Sequence, residues 1–334
     1  MRRTKRRDGR RPAGGRAGGL VRRGWAAAAL LVAAGILAGG RAAPRVAGTP
    51  IRSASATTSP RSAMSLHRAA PPPVEWVTTV SRLAVDGVVY QYRVTRPAAP
   101  SPTPLPVLMV LHGQGATPAL EEERTGFPAV TGPAILVYPT GYDESWNAGA
   151  CCGAAWAARV NDVAGLRAVL RAVLTAMPDA SPRRVYLAGY SNGGKMALTL
   201  ACAEPKLFRG VAVYGATAAT RCDPLPPMSV LELASTGDPE VTVGPAGPAR
   251  VENGFTEPTV VGETDAYVAA DRCAAPPAGT TAGTLRLTVW TRCAAGRRVA
   301  LGVYAGGSHT WPAGGGGTPS AAAVMWAFFR SLGA

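Results

Sequence analysis

Histidine is scarce in this chain. Only His67, His112 and His309 occur in 334 residues, so few imidazoles could carry a proton. The six cysteines form no C-x-x-C pair and are not interleaved with histidine, which argues against a structural zinc site. No G-x-x-x-x-G-K-[ST] run follows any strand-like segment, so a phosphate-cradling loop is not supported. The apolar stretch at 25–39, WAAAALLVAAGILAG, is short of the roughly 20 residues needed to span a bilayer. Charged residues make up 16% of the chain, and no strong internal repeat is visible.

The formal charge of +15 is unevenly placed. Residues 1–43 hold eleven Lys or Arg and one Asp, a surplus of ten, which leaves about five for the rest. A basic excess confined to one end does not describe a nucleic-acid-binding surface, and no nucleic-acid partner is expected. Arg22 and Arg23 followed by the apolar stretch have the layout of an export signal, with a membrane anchor as the alternative if the leader is not cleaved. The arginine pair loosely matches a twin-arginine signal. Residues 44–74, rich in Ala, Pro, Ser and Thr, read as a flexible linker that could place the protein near a cell wall. All six cysteines lie beyond the leader, and an even count in an exported chain favours disulfides over free thiols. Cys202 with Cys222 and Cys273 with Cys293 are natural local pairs. The neighbours Cys151 and Cys152 are candidates for an unusual adjacent-residue bridge.

Residues 75–334 form one domain of catalytic size. Its opening segment, WVTTVSRLAVDGVVYQYRVTRP, predicts a pair of strands. Apolar strands are expected at LPVLMVL, AILVYPTG, RRVYLAGY, FRGVAVYGA and MSVLELAS. LRLTVWTRC and RRVALGVYAGG predict two more strands around a turn. Helices are expected over 154–177, over NGGKMALTLAC and over AAAVMWAFFRSL. Continuous apolar strands alternating with helices predict an α/β sandwich, with a mainly parallel central sheet covered on both faces. Met196 and Trp326 are expected in the core.

Gly189-Tyr190-Ser191-Asn192-Gly193 is a G-x-S-x-G match at a predicted strand-to-helix turn. Such a bend exposes Ser191 Oγ at the positive end of a helix, so Ser191 is the candidate nucleophile. The alternative is a glycine-rich structural turn. A serine hydroxyl needs a base. His67 lies in the linker and His112 begins the HGQG loop, leaving His309, in a loop late in the chain, as the candidate base. Asp238 follows an apolar strand and precedes a proline, a strand-end position from which it could orient His309. Asp265 and Asp223 compete for that role, while Asp162 reads as a helix cap or loop anchor. The backbone N–H groups of Gln114 and Asn192 are candidate oxyanion donors.

These segments resemble the secreted polyhydroxybutyrate depolymerase and feruloyl-esterase family of carboxylic-ester hydrolases. The resemblance rests on LHGQG (111–115), YPTG (138–141), WNAG (146–149), CCG (151–153), GYSNGG (189–194) and GGSHTWP (306–312). It implies an α/β-hydrolase with a Ser-Asp-His triad, in which Ser191 and His309 match the family motifs directly. Asp238 falls in ASTGDPEVTVG where the family commonly has HGTADPVVPY, so the acid is retained while its surroundings diverge. Trp311 and Tyr190 are candidate substrate contacts, and Trp311 reads equally well as a packing anchor for the His309 loop. No cofactor and no metal are expected. The implied substrates are hydroxyalkanoate oligomers or polyester, or feruloyl or acetyl esters of polysaccharides. A noncatalytic surface protein of the same fold and a serine peptidase are the alternatives. Oligomeric state is not legible in the sequence.

Overall fold

The computed structural model describes residues 74–245, 247, 250–274 and 277–333. The leader and nearly all of the linker lie outside them. Among the described residues no helix is long and apolar enough to cross a membrane.

The chain opens with an antiparallel hairpin, β1 (Trp76–Val85) and β2 (Val88–Pro97), paired from Trp76 with Pro97 to Val85 with Val88. There follow β3 (Leu105–Leu111), α1 (Pro118–Thr125), α2 (Phe127–Thr131) and β4 (Ile135–Pro139). Next come α3 (Gly153–Ala157), α4 (Asp162–Ala176), β5 (Ala180–Tyr190), α5 (Asn192–Ala203), β6 (Gly210–Tyr214) and β7 (Val230–Ser235). A two-strand flap, β8 (Val251–Glu252) with β9 (Phe255–Thr256), precedes α6 (Val260–Ala270). The chain ends with β10 (Ala278–Ala282), β11 (Leu285–Trp290), β12 (Val299–Tyr304) and α7 (Ala321–Ser331).

Ten strands form one sheet in the order β1-β2-β4-β3-β5-β6-β7-β12-β11-β10. The run from β4 to β12 is parallel, and an antiparallel pair extends each edge. The expected α/β sandwich with a mainly parallel sheet is the observed fold. Alternation along β3 shows how it is filled. Val107, Met109 and Leu111 face a core built with Leu166 and Val169 of α4 and Met196 and Leu200 of α5. Leu108 and Val110 face the opposite core, with Phe127 and with Met325, Trp326, Phe328 and Phe329 of α7. Removing each such large side chain from water stabilises the fold by roughly 1.5–3 kcal/mol.

The single helix expected over 154–177 is two helices. The chain turns at Arg159, where φ is 54°, and restarts behind Asn161, whose side chain accepts the Ala164 N–H at 3.2 Å. Asp162 is then free to act as an anchor: its carboxylate accepts Tyr90 Oη at 2.9 Å and the Asn147 N–H at 2.7 Å. Six elements were not anticipated: α1, α2, α6, β8, β9 and β10. Helices α1 and α6 start behind Thr117 and Thr259, whose hydroxyls accept the Leu120 and Gly262 N–H groups, and β10 is a short, mostly exposed edge strand.

Three disulfides are present: Cys202–Cys222, Cys273–Cys293 and the adjacent Cys151–Cys152. They match the expected pairs.

Candidate active site

Ser191 sits between β5 and α5 with φ 54° and ψ −124°, a backbone conformation that a side-chain-bearing residue rarely adopts. The flanking glycines are required by close approach. A Cβ on Gly193 would fall 2.2 Å from the Leu111 carbonyl oxygen, and one on Gly189 would fall 2.3 Å from the Gly193 oxygen. The G-x-S-x-G spacing therefore reflects a helix start driven hard against β3 and β5. Its consequence is a hydroxyl held at the first turn of α5, where the helix N–H groups have no intrahelical acceptors.

The parallel sheet brings the partners to the same end. Strands β7 and β12 are neighbours, with Ser235 opposite Tyr304. Asp238 lies three residues past Ser235 and His309 five past Tyr304, so both loops emerge beside the Ser191 turn. His309 Nε2 is 2.7 Å from Ser191 Oγ, and Nδ1 is 2.8 and 3.0 Å from the two Asp238 oxygens. The Glu240 N–H donates to Asp238 Oδ1 at 2.7 Å, which fixes the carboxylate. With Nδ1–H donating to Asp238, Nε2 carries the lone pair. This arrangement can take a proton from Ser191 Oγ and hold the resulting charge against a carboxylate. Asp223 and Asp265, the competing acids, are exposed, and Asp265 lies on α6.

His112 has other work. Its buried ring donates from Nδ1 to the Gly113 carbonyl at 2.8 Å and accepts the Gly141 N–H at Nε2, 3.0 Å away. Burial pushes the imidazole down to about 4, so it is neutral and ties two loops together. One of those loops carries Gln114.

Gln114 and Asn192 both border the cavity in front of Ser191, which has a volume of about 300 Å³. The side chain of Asn192 does something the sequence did not reveal. It is buried, donating to the Trp146 carbonyl at 3.0 Å and accepting the Trp146 N–H at 2.8 Å. It thereby clamps the 146–152 loop to the start of α5. Tyr190 and Trp311 are not on the cavity wall. Tyr190 lies behind His309, with ring centroids 5.4 Å apart, and its hydroxyl donates to the His309 carbonyl. Trp311 is buried edge-on against Tyr190 and Tyr214. Both thus support the histidine loop from below.

Two further features were missed. Gly215 lies under the imidazole, where a Cβ would come 3.0 Å from His309 Cε1. The Tyr214 hydroxyl meets both the Thr310 carbonyl and Ser235 Oγ at 2.9 Å, joining the His309 loop to the end of β7. A sequence signal existed only for Gly215, as the glycine that directly follows a strand.

The remaining wall is strongly polar. Lys195 is buried and paired with Glu257, while Arg250 pairs with Glu240 at 2.8 Å and Glu252 at 3.2 Å. Asn253, on the flap, donates to the Ala150 carbonyl at 2.6 Å.

A parallel sheet with a strained serine turn at one strand end, and an imidazole and a carboxylate from two neighbouring ends, defines an α/β-hydrolase. Within that class the chain belongs to the esterase family of PHB depolymerases, whose model, described as "Esterase PHB depolymerase", matches residues 111–302. The chain is 33% identical to "Putative esterase NocK" of Nocardia uniformis subsp. tsuyamanensis, over 94% of this chain and 96% of that protein. Its fold is similar to that of a mutant feruloyl esterase module from Clostridium thermocellum complexed with sinapinate. That match has a TM-score of 0.51 at 12% identity and covers 80% of this chain and 90% of the module. The chain is a carboxylic-ester hydrolase.

Proposed function

We propose that the protein is an exported serine esterase working through an acyl-enzyme. Ser191 Oγ attacks the ester carbonyl while His309 Nε2 takes its proton. Asp238 stabilises the imidazolium, and the Gln114 and Asn192 backbone N–H groups donate to the oxyanion. His309 then protonates the leaving alcohol. Water, activated by the same nitrogen, releases the acid from Ser191. Tyr190 and Trp311 serve by fixing the histidine loop and so the reach of Nε2.

The observation that carries this reading is the 2.7 Å contact between Ser191 Oγ and His309 Nε2, with Asp238 on the far side of the ring. The substrate class is a hydroxyalkanoate oligomer or polyester, or a feruloyl or acetyl ester of a polysaccharide. Three disulfides and the basic-then-apolar leader support export. A leader left uncleaved would anchor the enzyme to a membrane.

The test is turnover of a panel of hydroxyacid oligomers, feruloyl esters, acetylated sugars and peptides by wild type and Ser191→Ala. The variant is expected to keep its circular dichroism spectrum and lose ester turnover by about 10⁴-fold or more. Unchanged ester turnover in the folded variant would refute the role.

A further inference from the structure

A bridge between neighbouring residues is a poor crosslink. Disulfides stabilise chiefly by closing loops, and the effect grows with loop length. Cys202–Cys222 ties together segments 20 positions apart, whereas Cys151–Cys152 ties nothing that the peptide bond does not already join. The reason for this bridge must lie in where it sits. It borders the cavity in front of Ser191, next to Gln114 and Asn192.

Its setting is unusually well fixed. The Cys152 N–H donates to the Trp146 carbonyl at 2.9 Å, and the Ala150 N–H to the Ala219 carbonyl at 2.8 Å. Asn192 Nδ2, already holding Trp146, comes 3.9 Å from Cys151 Sγ. Gly149 has φ 89°, and a Cβ there would fall 2.6 Å from Thr220 Cβ, so the loop is pressed against its neighbour with no room to shift. Flap residue Asn253 holds the Ala150 carbonyl from the other side. Buried Cys151 thus braces half-buried Cys152, whose sulfur is the part of the bridge that can meet a bound group in the cavity before Ser191.

The chemistry of the wall gives them a role. Beyond the glycines and the reacting residues, the wall consists of side chains that hydrogen-bond or carry charge: Gln114, Lys195, Glu240, Arg250, Glu252 and Asn253. The bridge, which reaches this wall through half-buried Cys152 with Cys151 buried behind it, supplies the wall's one polarizable, uncharged surface among the described residues. Sulfur contacts aromatic rings favourably, about 5 Å from the ring. A group that satisfies both kinds of wall has an apolar face for the sulfurs and hydroxyl substituents for the rest.

We infer that the Cys151–Cys152 disulfide is a specificity-determining contact of this esterase, a platform against which a hydroxylated aromatic ring of the substrate rests. The inference rests on the proposed reading of the Ser191 site. It favours an aryl acyl group over a linear hydroxyalkanoyl chain, which has no ring to set against the sulfurs.

Two measurements test it. The first compares kcat/KM for a hydroxycinnamoyl ester and a linear acyl ester of equal carbon number and the same alcohol, in wild type and in Cys151→Ala/Cys152→Ala. The ring-over-linear ratio is expected to fall about 3- to 10-fold, carried by KM, in keeping with the size of a sulfur–aromatic contact. An unchanged ratio, both esters losing equally, overturns the inference. The second is a crystal of Ser191→Ala soaked with the hydroxycinnamic acid, which needs neither turnover nor a folded cysteine variant. The ring is expected about 5 Å from the Cys152 sulfur. The acid absent from the cavity, or seated away from that sulfur, overturns the platform. Wild type failing to hydrolyse any ester would instead refute the hydrolase mechanism, while the soak still reads the platform.

Discussion

Asn192 shows how much of this site is built by side chains that touch no substrate. Its amide satisfies both the N–H and the carbonyl of Trp146 inside the protein. Truncation would leave the Trp146 N–H without a partner and its carbonyl with only the Cys152 N–H, and a buried unsatisfied group costs about 1–3 kcal/mol. Asn192→Ala is therefore expected to lower stability by about 1–3 kcal/mol in urea unfolding and to reduce kcat, since the Trp146 loop carries the cavity wall. A variant with wild-type midpoint and kcat would show that the clamp is idle. Asp238 invites a different substitution. Asp238→Asn keeps the shape but replaces the acceptor facing Nδ1–H with an amide, favouring the wrong imidazole tautomer. A fall in kcat of about 10⁴-fold with little change in melting temperature is expected. A fall of less than tenfold would point to another acid.

At the scale of elements, the turn from β5 into α5 tolerates no added bulk. Gly193→Ala places a methyl 2.2 Å from the backbone oxygen of Leu111, which cannot move without shifting β3. The expected cost is about 3 kcal/mol, with ester turnover lost as well; a thermal melt beside an activity assay reads both. That glycine was legible in the sequence because the turn imposes the G-x-S-x-G spacing locally. His309 was legible for another reason: with three histidines in the chain, elimination nearly suffices. The break between α3 and α4 was not legible. Ala, Val and Leu run through 154–177 at helical spacing, and the interruption is set by tertiary demands, namely Asp162 reaching Tyr90 and the Asn147 N–H. For Tyr190 and Trp311 the sequence offers substrate contact, and for Trp311 equally a packing role, because aromatic residues beside reacting groups could face either way. Only the packing places them, Tyr190 against His309 and Trp311 against Tyr190 and Tyr214. The charged wall was illegible too, since Lys195, Glu240 and Arg250 come from three separate segments.

Over the whole molecule, the cost of burying charge sets a pH dependence. Glu232, on β7, accepts Thr264 Oγ1 at 2.8 Å, and Glu263, on α6, accepts the Ala218 N–H at 3.0 Å. Burial pushes both carboxyls upward, and Glu263 pushes Glu232 further by repulsion. Glu263 is raised to about 8. In the unfolded chain a glutamate ionises near pH 4.3. The folded state therefore retains protons that the unfolded state has lost. Stability from these groups is full below about pH 4 and declines as pH rises toward 8. Melting temperature is expected to fall more between pH 5 and pH 8 in wild type than in Glu263→Gln, whose amide stays neutral throughout. Parallel curves would refute this. The Cys202–Cys222 bridge acts at the same scale. Opening its loop of about 20 residues by Cys202→Ala/Cys222→Ala should cost about 3 kcal/mol, read as a lower denaturation midpoint under non-reducing conditions. An unchanged midpoint would mean the bridge adds no stability.

The central claim is that Ser191 carries the acyl group. Brief incubation with a fluorophosphonate, followed by peptide mass mapping, tests it most directly. One adduct on Ser191, loss of ester turnover in proportion to labelling, and no adduct in His309→Ala are the results predicted. An adduct on another residue, or full turnover in the labelled protein, would contradict it.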